Sequence, residues 1–339
     1  MSMELPERSR MSPTTSGDGG VSRGPGLLPE FDLIEQLRTL EGSDPAVALG
    51  IGDDAAVLQP APGSRLASCI DTLVAGVHFP PATGPADLAY KALSVNLSDL
   101  AAMGAQPRWA LLSLSLNQPD RGWIELFIAG WRELAEPLGL ALVGGDTTAT
   151  PGPVTISVQL IGELPSDRAL TRGGAKAGDL IAVTGSLGGA ALALAQLQAG
   201  EAPESALLRR LNRPRPRVAA GRALLALATA CIDVSDGFAA DLNHLLTASG
   251  VGARVAVTDL PLHSSLASLD RQRQLNLALG GGDDYELCFC FPSAERESVE
   301  RRLGEAETPF RVVGEVTAET GVEWIGLDGR SFPTGYAHF

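Results

Sequence analysis

Aromatic residues and cysteines are scarce in this sequence. Only 5% of the 339 residues are aromatic although 45% are hydrophobic, which predicts a globular protein with an aliphatic core. The four cysteines form no CxxC pair, and Cys288 and Cys290 fall on one face of a predicted strand, where they are poorly placed to bridge each other. With no export signal in the sequence, we expect reduced, mostly buried thiols in a cytoplasmic protein.

Long apolar runs and positive charge are also lacking. No run approaches the roughly 20 residues that a membrane-spanning helix requires, and the N-terminus has no signal-peptide core. The net charge is -14 at pH 7, which argues against nucleic acid or an anionic membrane as the main partner. A phosphate ligand stays compatible with this charge when divalent cations lie between the ligand and the protein.

Several familiar catalytic motifs are absent. The sequence contains no Walker A motif and no serine nucleophile elbow, so we predict no covalent nucleophile. The stretch 185–190 (Gly-Ser-Leu-Gly-Gly-Ala) follows a predicted strand but lacks the G-x-G-x-x-G spacing of dinucleotide-binding loops. We interpret it as the entry to a helix.

The length exceeds that of most single hydrophobic cores, which predicts two domains. Residues 1–26 are rich in serine, glycine, proline and charge, so we predict a disordered tail there. Both halves that follow mix strands and helices. We place an N-terminal α/β domain at 27–165 and a C-terminal α/β domain at 166–339.

Apolar periodicity and helix-end signals locate the individual elements. We predict helices over residues 31–40, 85–103, 120–138, 188–197, 218–227, 236–246 and 294–303. We predict strands over residues 55–58, 66–70, 109–116, 140–143, 154–160, 180–183, 231–234, 251–257, 285–291 and 310–316. The basic, proline-punctuated stretch 209–217 is predicted to be a surface turn with solvated charges rather than a nucleic-acid contact.

Aspartates recur beside glycine, serine or threonine where predicted strands end. Such segments lie at 50–55, 70–72, 144–148, 232–237 and 281–285. In a single segment of this kind the aspartate commonly hydrogen-bonds its own backbone in a tight turn. Five segments together predict one acidic cleft that handles phosphates, because clustered carboxylates repel one another unless cations lie between them. Oxygen ligands without a histidine cluster favour Mg²⁺ over zinc.

Three other residues each have two interpretations. Asp99 lies near Asn96 on the predicted helix 85–103, either at the edge of the core or as a solvated helix charge. His78 lies in an apolar loop, where a lone histidine is more often packed or exposed than functional. Arg172 could bind phosphate through its guanidinium, although a surface arginine is the simpler interpretation.

Eight motifs follow one another along the chain. They are Gly-Ile-Gly-Asp-Asp (50–54), Asp-Thr-Leu-Val-Ala-Gly-Val-His-Phe (71–79), Asp-Leu-Ala-Tyr-Lys-Ala-Leu (87–93), Asn-Leu-Ser-Asp-Leu-Ala-Ala-Met-Gly-Ala (96–105), Gly-Gly-Asp-Thr-Thr (144–148), Leu-Thr-Arg-Gly-Gly-Ala-Lys (170–176), Ile-Asp-Val-Ser-Asp-Gly (232–237) and Gly-Gly-Asp-Asp-Tyr-Glu-Leu (281–287). Each motif is weak alone, but the ordered set, which spans residues 30 to 339, resembles the bacterial thiamine-monophosphate kinase family.

This resemblance implies the two-domain fold of the aminoimidazole-ribonucleotide-synthetase superfamily, which is α/β with mixed sheets. It implies a homodimer in which the N-terminal sheets of both subunits join. It also implies ATP-dependent phosphorylation of thiamine monophosphate to thiamine diphosphate, with several Mg²⁺ ions and direct in-line transfer. The implied metal ligands are Asp54, Asp71, Asp99, Asp146, Asp233 and Asp236. The implied ATP contacts are Gly145, Asp146, Arg172 and Ser235, and the implied substrate contacts are His78, Asp283 and Phe332.

The sequence departs from the family pattern at three places. Cys69 and Ile70 stand where the family has Ser or Thr residues that help to hold metal. Asp283 replaces a glutamate, and Pro333 aligns with the substrate-stacking aromatic, for which the adjacent Phe332 could substitute. One competing hypothesis is another ATP-using enzyme of the superfamily, acting on an aminoimidazole precursor, a formylglycinamide ribotide or selenide. The other is a non-catalytic module that binds nucleotide.

Overall fold

Residues 29–117 and 119–327 are described in the computed structural model of the chain. They form a four-stranded sheet, a six-stranded sheet and a small two-stranded sheet, with helices packed against the two larger ones. The fold is therefore α/β with mixed sheets, as predicted. The helices are α1 (Glu30–Arg38), α2 (Pro85–Ala102), α3 (Arg121–Ala135), α4 (Gly189–Gln198), α5 (Ser205–Asn212), α6 (Val218–Leu224), α7 (Phe238–Ser249), α8 (Arg271–Gly280) and α9 (Arg296–Glu305). The strands are β1 (Val47–Leu49), β2 (Val57–Leu58), β3 (Ser64–Val74), β4 (Gln106–Leu116), β5 (Ala141–Ala149), β6 (Thr155–Pro165), β7 (Asp179–Thr184), β8 (Ala230–Val234), β9 (Gly252–Ala256), β10 (Glu286–Pro292), β11 (Phe310–Thr317) and β12 (Gly321–Ile325).

The four-stranded sheet has the order β3-β6-β4-β5. Strand β6 is antiparallel to both of its neighbours, whereas β5 is parallel to β4 and is reached through α3. Helices α2 and α3 cover one face with large buried side chains such as Phe127 and Trp131. Strands β1 and β2 cover part of the opposite face beside Trp109. Further along that face, Leu66 and Ile70 on the edge strand β3 are exposed.

The six-stranded sheet has the order β12-β9-β11-β7-β10-β8, and all of its strand pairs except β12–β9 are antiparallel. Alternate residues of β10 face two different cores. Cys288 and Cys290 pack with α7 and α8, whereas Phe289 and Phe291 pack in a core shared with α2. Helix α2 thus lies between the two sheets, which explains why 13 of its 18 residues are buried.

Two of the predicted acidic loops are parts of strands. The prediction that Asp71 ends its strand is wrong, because β3 pairs with β6 over its whole length from Ser64 to Val74. The prediction of a loop at 144–148 is also wrong, because β5 pairs with β4 as far as Ala149. Both aspartates therefore project from edge strands of the sheet rather than from turns.

The prediction of a solvated surface turn at 209–217 is wrong as well. Residues 205–212 form α5, in which Leu207 and Leu211 are buried one turn apart. Arg217 is buried and pairs with the buried carboxylate of Glu286. Ion pairs with acidic partners thus compensate the charges of Arg210, Arg213 and Arg217 in this basic segment. No element was predicted for α5, α8, β1 or β12.

Other expectations are confirmed. All four cysteines are free thiols, and three of them are buried. The stretch 185–190 leads into α4, with Gly188 as its N-cap.

Within the described ranges, no helix combines the length and apolar character needed to cross a bilayer. The predicted tail at 1–26, together with Phe332 and Pro333, lies outside the described residues.

Candidate active site

Three aspartates from three different elements meet between the two sheets. Asp71 comes from β3, Asp99 from α2 and Asp233 from β8. Burial raises the pKa of Asp99, and the charges of Asp233 and Asp71 raise it further. Burial also raises the pKa of Asp233, and the charge of Asp71 adds to the effect. The three carboxylates, which we call the acid cluster, therefore lie close enough together for their charges to interact.

Three side chains, those of Ser98, Cys69 and Arg172, stabilise the ionised forms of these acids. The Ser98 hydroxyl donates to Asp233 Oδ2 at 2.8 Å, which joins α2 to β8. The positive charge of Arg172 lowers the pKa of both Asp99 and Asp233 against the effect of burial. The Arg172 carbonyl accepts a hydrogen bond from the Ser249 hydroxyl at 3.0 Å, so α7 holds this segment beside the acid cluster.

Cys69, one of the departures from the family pattern, lies next to the acid cluster. Its thiol donates to the Asn96 carbonyl at 3.3 Å. Burial, followed by the charges of Asp99 and Asp71, raises the pKa of this thiol, so it stays neutral at physiological pH. Ile70, the second departure, points to the opposite face of the sheet and is exposed.

The segment after β8 carries Ser235 and Asp236. Both of their backbone N–H groups donate to one buried oxygen, Oδ2 of Asp241 on α7, at 3.0 Å each. Burial, followed by the charges of Asp233 and Asp236, raises the pKa of Asp241 to about 7. Asp241 was not singled out in the sequence, yet it fixes the path of two predicted ligand-binding residues.

The segment that contains Asp283 docks directly on the Ser235 segment. The Asp283 N–H donates to the Ser235 carbonyl at 2.9 Å. Glycine is required at Gly282, because a Cβ there would overlap that same carbonyl oxygen. The Asp283 carboxylate accepts hydrogen bonds from Lys91 Nζ at 2.9 Å and from the Tyr285 hydroxyl at 3.1 Å. The predicted substrate carboxylate is thus fixed in place close to the predicted ATP-binding segment.

Asp54, another predicted metal ligand, is exposed on a turn before β2. Two side chains outside the turn hold it through the backbone of Ile51. Arg38 Nη2 donates to the Ile51 carbonyl at 2.6 Å, and the Ile51 N–H donates to Glu41 Oε1 at 3.0 Å. The end of α1 and the residues just after it therefore limit where the Asp54 carboxylate can reach.

Asp146 is exposed on the edge strand β5, opposite Ser113 of β4. Its carboxylate accepts a hydrogen bond from the Thr148 hydroxyl at 3.2 Å. The preceding residue has to be glycine, because a Cβ on Gly145 would overlap the Leu112 carbonyl oxygen. Because Gly145 has no side chain, the backbone of β5 stays exposed at this position.

His78 lies in the turn that follows β3. Its Nδ1 accepts the Val74 N–H at 3.0 Å, which fixes the ring against its own turn. Phe332, the third predicted substrate contact, lies outside the described residues.

The carboxylates of the candidate site suit metal ions that a phosphate ligand also coordinates. In the part of the chain that the structure describes, no group of three or more His, Cys, Asp or Glu side chains could hold a metal ion by itself. Magnesium at nucleotide sites does not need such a group, because one or two carboxylates suffice when phosphate oxygens and water complete its octahedron. The repulsion within the acid cluster would also fall if divalent cations lay between its carboxylates.

A separate cavity of about 510 Å³ lies between the segment that follows α1, the end of α3 and the start of β5. It is lined by residues such as Asp44, Arg108 and Trp131, and by none of the predicted site residues. The candidate site is therefore defined by converging charges and backbone contacts rather than by this cavity.

Several residues that hold the site together were not predicted from the sequence to do so. Ser98 and Lys91 belong to the motifs, but their partners lie 135 and 192 residues away, so spacing does not reveal the contacts. Asp241 could have been identified from the sequence. It is an acidic residue in the first turn of α7, where a negative charge interacts favourably with the free backbone N–H groups of the helix.

Two family models match consecutive parts of the chain. The model "AIR synthase related protein, N-terminal domain" matches residues 52–164, and "AIR synthase related protein, C-terminal domain" matches residues 176–325. The two larger sheets, except Pro165 at the end of β6, and the acid cluster fall within these matches. They define the class of the protein as a two-domain, AIR synthase-related fold.

Individual relatives narrow the class. The thiamine-monophosphate kinase of Escherichia coli strain K12 is 43% identical over 320 residues, which cover 91% of this chain and 98% of that protein. The crystal structure of thiamine-monophosphate kinase from Stenotrophomonas maltophilia K279a matches with a TM-score of 0.80 and 44% identity, covering 87% of this chain and 95% of that one. AaThiL complexed with AMPPCP and TMP matches with a TM-score of 0.72 and 32% identity, covering 91% and 97%. The chain belongs to the thiamine-monophosphate kinase family.

Proposed function

We propose that this chain transfers the γ-phosphoryl group of ATP to thiamine monophosphate, forming ADP and thiamine diphosphate, the last step of thiamine diphosphate biosynthesis. The observation that carries the proposal is the acid cluster with Arg172 beside it, in a chain of this kinase family. The relative AaThiL has been solved in complex with AMPPCP and TMP, which supports ATP as the co-substrate.

The acceptor is itself a phosphate, and this sets the catalytic requirement. A phosphate monoester has a second pKa of about 6 and is largely a dianion at neutral pH. Its oxygen can therefore attack the γ-phosphorus in line without a general base, and no side chain needs to become phosphorylated. What the protein has to supply is alignment of two anions and relief of the repulsion between them.

We assign the binding of several Mg²⁺ ions to six aspartates. They are Asp54, Asp71, Asp99, Asp146, Asp233 and Asp236. Bound there, the ions would neutralise the phosphate charge that otherwise keeps the two substrates apart. The raised pKa values of Asp99 and Asp233 support this assignment, because burial and the charge of neighbouring aspartates disfavour their ionised forms, and a bound cation would stabilise those forms.

The remaining site residues contact the substrates in this proposal. ATP is bound by Gly145, Asp146, Arg172 and Ser235. The Arg172 guanidinium suits phosphate because its N–H groups form a planar fork that can donate two parallel hydrogen bonds. Gly145 leaves room for a nucleotide to approach the backbone of β5. Thiamine monophosphate is bound by His78, Asp283 and Phe332.

The proposal includes a cytoplasmic homodimer. Leu66 is 51% exposed and Ile70 is 63% exposed on the outer face of β3. Both belong to the edge strand of the N-terminal sheet, where a second copy of the sheet could cover them. The four free thiols support a reducing compartment.

Product analysis tests the reaction. Purified protein is incubated with Mg-ATP and thiamine monophosphate, with free thiamine in a parallel reaction. We expect thiamine diphosphate only from the monophosphate, with one ADP for each product. Consumption of ATP with an aminoimidazole precursor, a formylglycinamide ribotide or selenide instead would favour another enzyme of the superfamily, and binding without ATP consumption would favour a non-catalytic module.

Two substitutions test the metal assignment. Asp71→Asn and Asp146→Asn keep the side-chain shape but remove the charge, and each should lower kcat by about 100-fold or more. Asp167→Asn is the matched control, because Asp167 is an exposed carboxylate outside the candidate site that forms an ion pair with its neighbour Arg168. Near-wild-type rates for Asp71→Asn and Asp146→Asn at saturating Mg²⁺ would contradict the assignment.

A further inference from the structure

Lys91 is a buried lysine in a chain whose positively charged side chains are nearly all arginines. The sequence contains 24 arginines and two lysines, Lys91 and Lys176. Lys176 is exposed, whereas the Lys91 side chain on α2 is only 1% exposed. Burying an ammonium group is unfavourable unless a partner compensates its charge. A compact cation at this position therefore points to a specific partner.

That partner is Asp283, which lies 192 residues further along the chain, just before β10 of the six-stranded sheet. Lys91 Nζ donates to Asp283 Oδ2 at 2.9 Å. The Tyr285 hydroxyl donates to the other oxygen, Oδ1, at 3.1 Å. Both carboxylate oxygens thus have a fixed donor, while 25% of the Asp283 side chain remains exposed. The carboxylate is held rigidly but is still accessible from one side.

The backbone holds this arrangement in an unfavourable conformation. The φ angles of Asp283 and Tyr285 are 67° and 49°, in the left-handed region that non-glycine residues rarely adopt. Hydrogen bonds to the preceding segment maintain it: Asp283 N–H to the Ser235 carbonyl at 2.9 Å and Tyr285 N–H to the Val234 carbonyl at 2.8 Å. Strain of this kind persists where the surrounding structure fixes a functional geometry.

Tyr285 also lies close enough to the acid cluster to be affected by its charge. Burial, followed by the charges of Asp283, Asp71 and Asp233, raises the pKa of the Tyr285 phenol well above its usual value. The hydroxyl therefore remains a protonated donor to the predicted substrate carboxylate.

From these contacts we propose that Lys91 and Tyr285 are positioning residues that determine substrate specificity. They fix Asp283 so that its carboxylate accepts a hydrogen bond from an uncharged N–H donor of the substrate. The inference rests on the proposed function, in which the substrate is thiamine monophosphate.

Thiamine monophosphate offers two groups that a carboxylate could recognise: its cationic thiazolium ring and the amino group of its aminopyrimidine ring. Lys91 already neutralises the charge of Asp283, so a second cation would gain little from this carboxylate. An amino N–H can use the lone pairs that Lys91 and Tyr285 leave unoccupied. We therefore assign the aminopyrimidine amino group to Asp283.

The test uses thiamine monophosphate and oxythiamine monophosphate, which carries oxygen in place of the amino group, as alternative acceptors with Mg-ATP. The wild-type enzyme should prefer thiamine monophosphate by at least about 100-fold in kcat/KM, because a site that pairs with an N–H rejects an analogue lacking it. In Lys91→Met and Tyr285→Phe the preference should fall by about tenfold. The KM for thiamine monophosphate should rise, while kcat and the KM for ATP stay within about twofold of wild type.

The chain offers two matched controls. Lys176→Met removes the other lysine, and Tyr90→Phe removes a hydroxyl from the residue next to Lys91 on α2. Both should keep the wild-type preference. In an Asp283→Asn background, Lys91→Met should change the preference little further, because Lys91 acts through Asp283.

Equal use of the two acceptors by the wild-type enzyme would overturn the assignment of the amino group. Full wild-type preference in Tyr285→Phe, or an equal rise in KM for ATP, would overturn the positioning role. Should Lys91→Met fail to fold, Tyr285→Phe decides the question, because it removes a single oxygen atom. If the wild type phosphorylates neither acceptor, the proposed function itself fails, which is distinct from lost discrimination in an active enzyme.

Discussion

Replacing Arg217 with methionine should destabilise the C-terminal domain. Arg217 and Glu286 form a buried bidentate pair, with Nε to Oε2 at 2.6 Å and Nη2 to Oε1 at 2.7 Å. Arg210 and Thr184 make one further contact each with this carboxylate. Methionine keeps much of the stem volume but removes the charge. Glu286 would therefore stay buried with only half of its hydrogen bonds.

Breaking a buried pair by removing one partner costs about 3–5 kcal/mol. Because Arg210 and Thr184 remain, we expect the lower end, about 3 kcal/mol, which lowers the unfolding temperature by roughly 6–12 °C for a domain of this size. Differential scanning calorimetry of wild type and variant measures this shift. Arg254→Met is the matched control, because Arg254 and its partner Glu323 lie on the same sheet and are both exposed. A fall for Arg217→Met no larger than that of the control would refute the reasoning.

The same pair predicts a pH dependence. Burial alone would raise the pKa of Glu286, but the hydrogen bonds and charge of Arg217, with the charge of Arg210, hold it below its usual value. A carboxyl group with a lowered pKa stabilises the fold fully above its unfolded pKa of about 4.3 and loses that contribution as the pH falls through the folded value. The difference in unfolding temperature between wild type and Arg217→Met should therefore narrow below about pH 4.

Two further substitutions test other contacts. Asp241→Leu removes the acceptor of two backbone N–H groups and should lower kcat/KM for ATP by about tenfold or more, whereas Asp241→Asn keeps an acceptor oxygen and should lose less. Kinetics at varied ATP concentration measure both, and equal losses would argue against a role in holding the Ser235 segment. Leu66→Asp places a charge on the exposed face of β3 and should convert the proposed dimer to a monomer in multi-angle light scattering, with circular dichroism as the control for folding. An unchanged molar mass would contradict the proposed interface.

Elements with strong local signals were predictable from the sequence. The predicted helix 85–103 is observed as Pro85–Ala102. Its two end signals, the proline at its start and Gly104 after its end, each lie within one turn of the helix end that they predict. α5 and α8 carried comparable signals. Leu207 and Leu211 have helical spacing in α5, and Asp270 caps α8 by accepting the N–H of the residue three positions on. These two helices could have been found by the same reasoning.

Features that depend on distant partners were not predictable in this way. β3 extends past Asp71 because β6 is long enough to pair with it, which the residues around Asp71 do not show. The burial of Arg217 depends on Glu286, 69 residues away. The resemblance to a known family implied the acidic residues as a set. The structure adds the side chains that hold them, because such contacts join segments far apart in the sequence.

The position of α2 between the two sheets limits how the enzyme can move during turnover. Leu97 on α2 and Phe289 on β10 belong to one continuous apolar core that reaches from the first sheet to the second. A hinge rotation between the domains would expose this core to water, at roughly 25 cal/mol for each Å². Large domain closure is therefore unfavourable, and ligands have to enter and leave through segments with few buried contacts. The turn at 50–54 is such a segment, because its residues 52–54 are exposed, so we expect motion of surface turns rather than of whole domains to control product release.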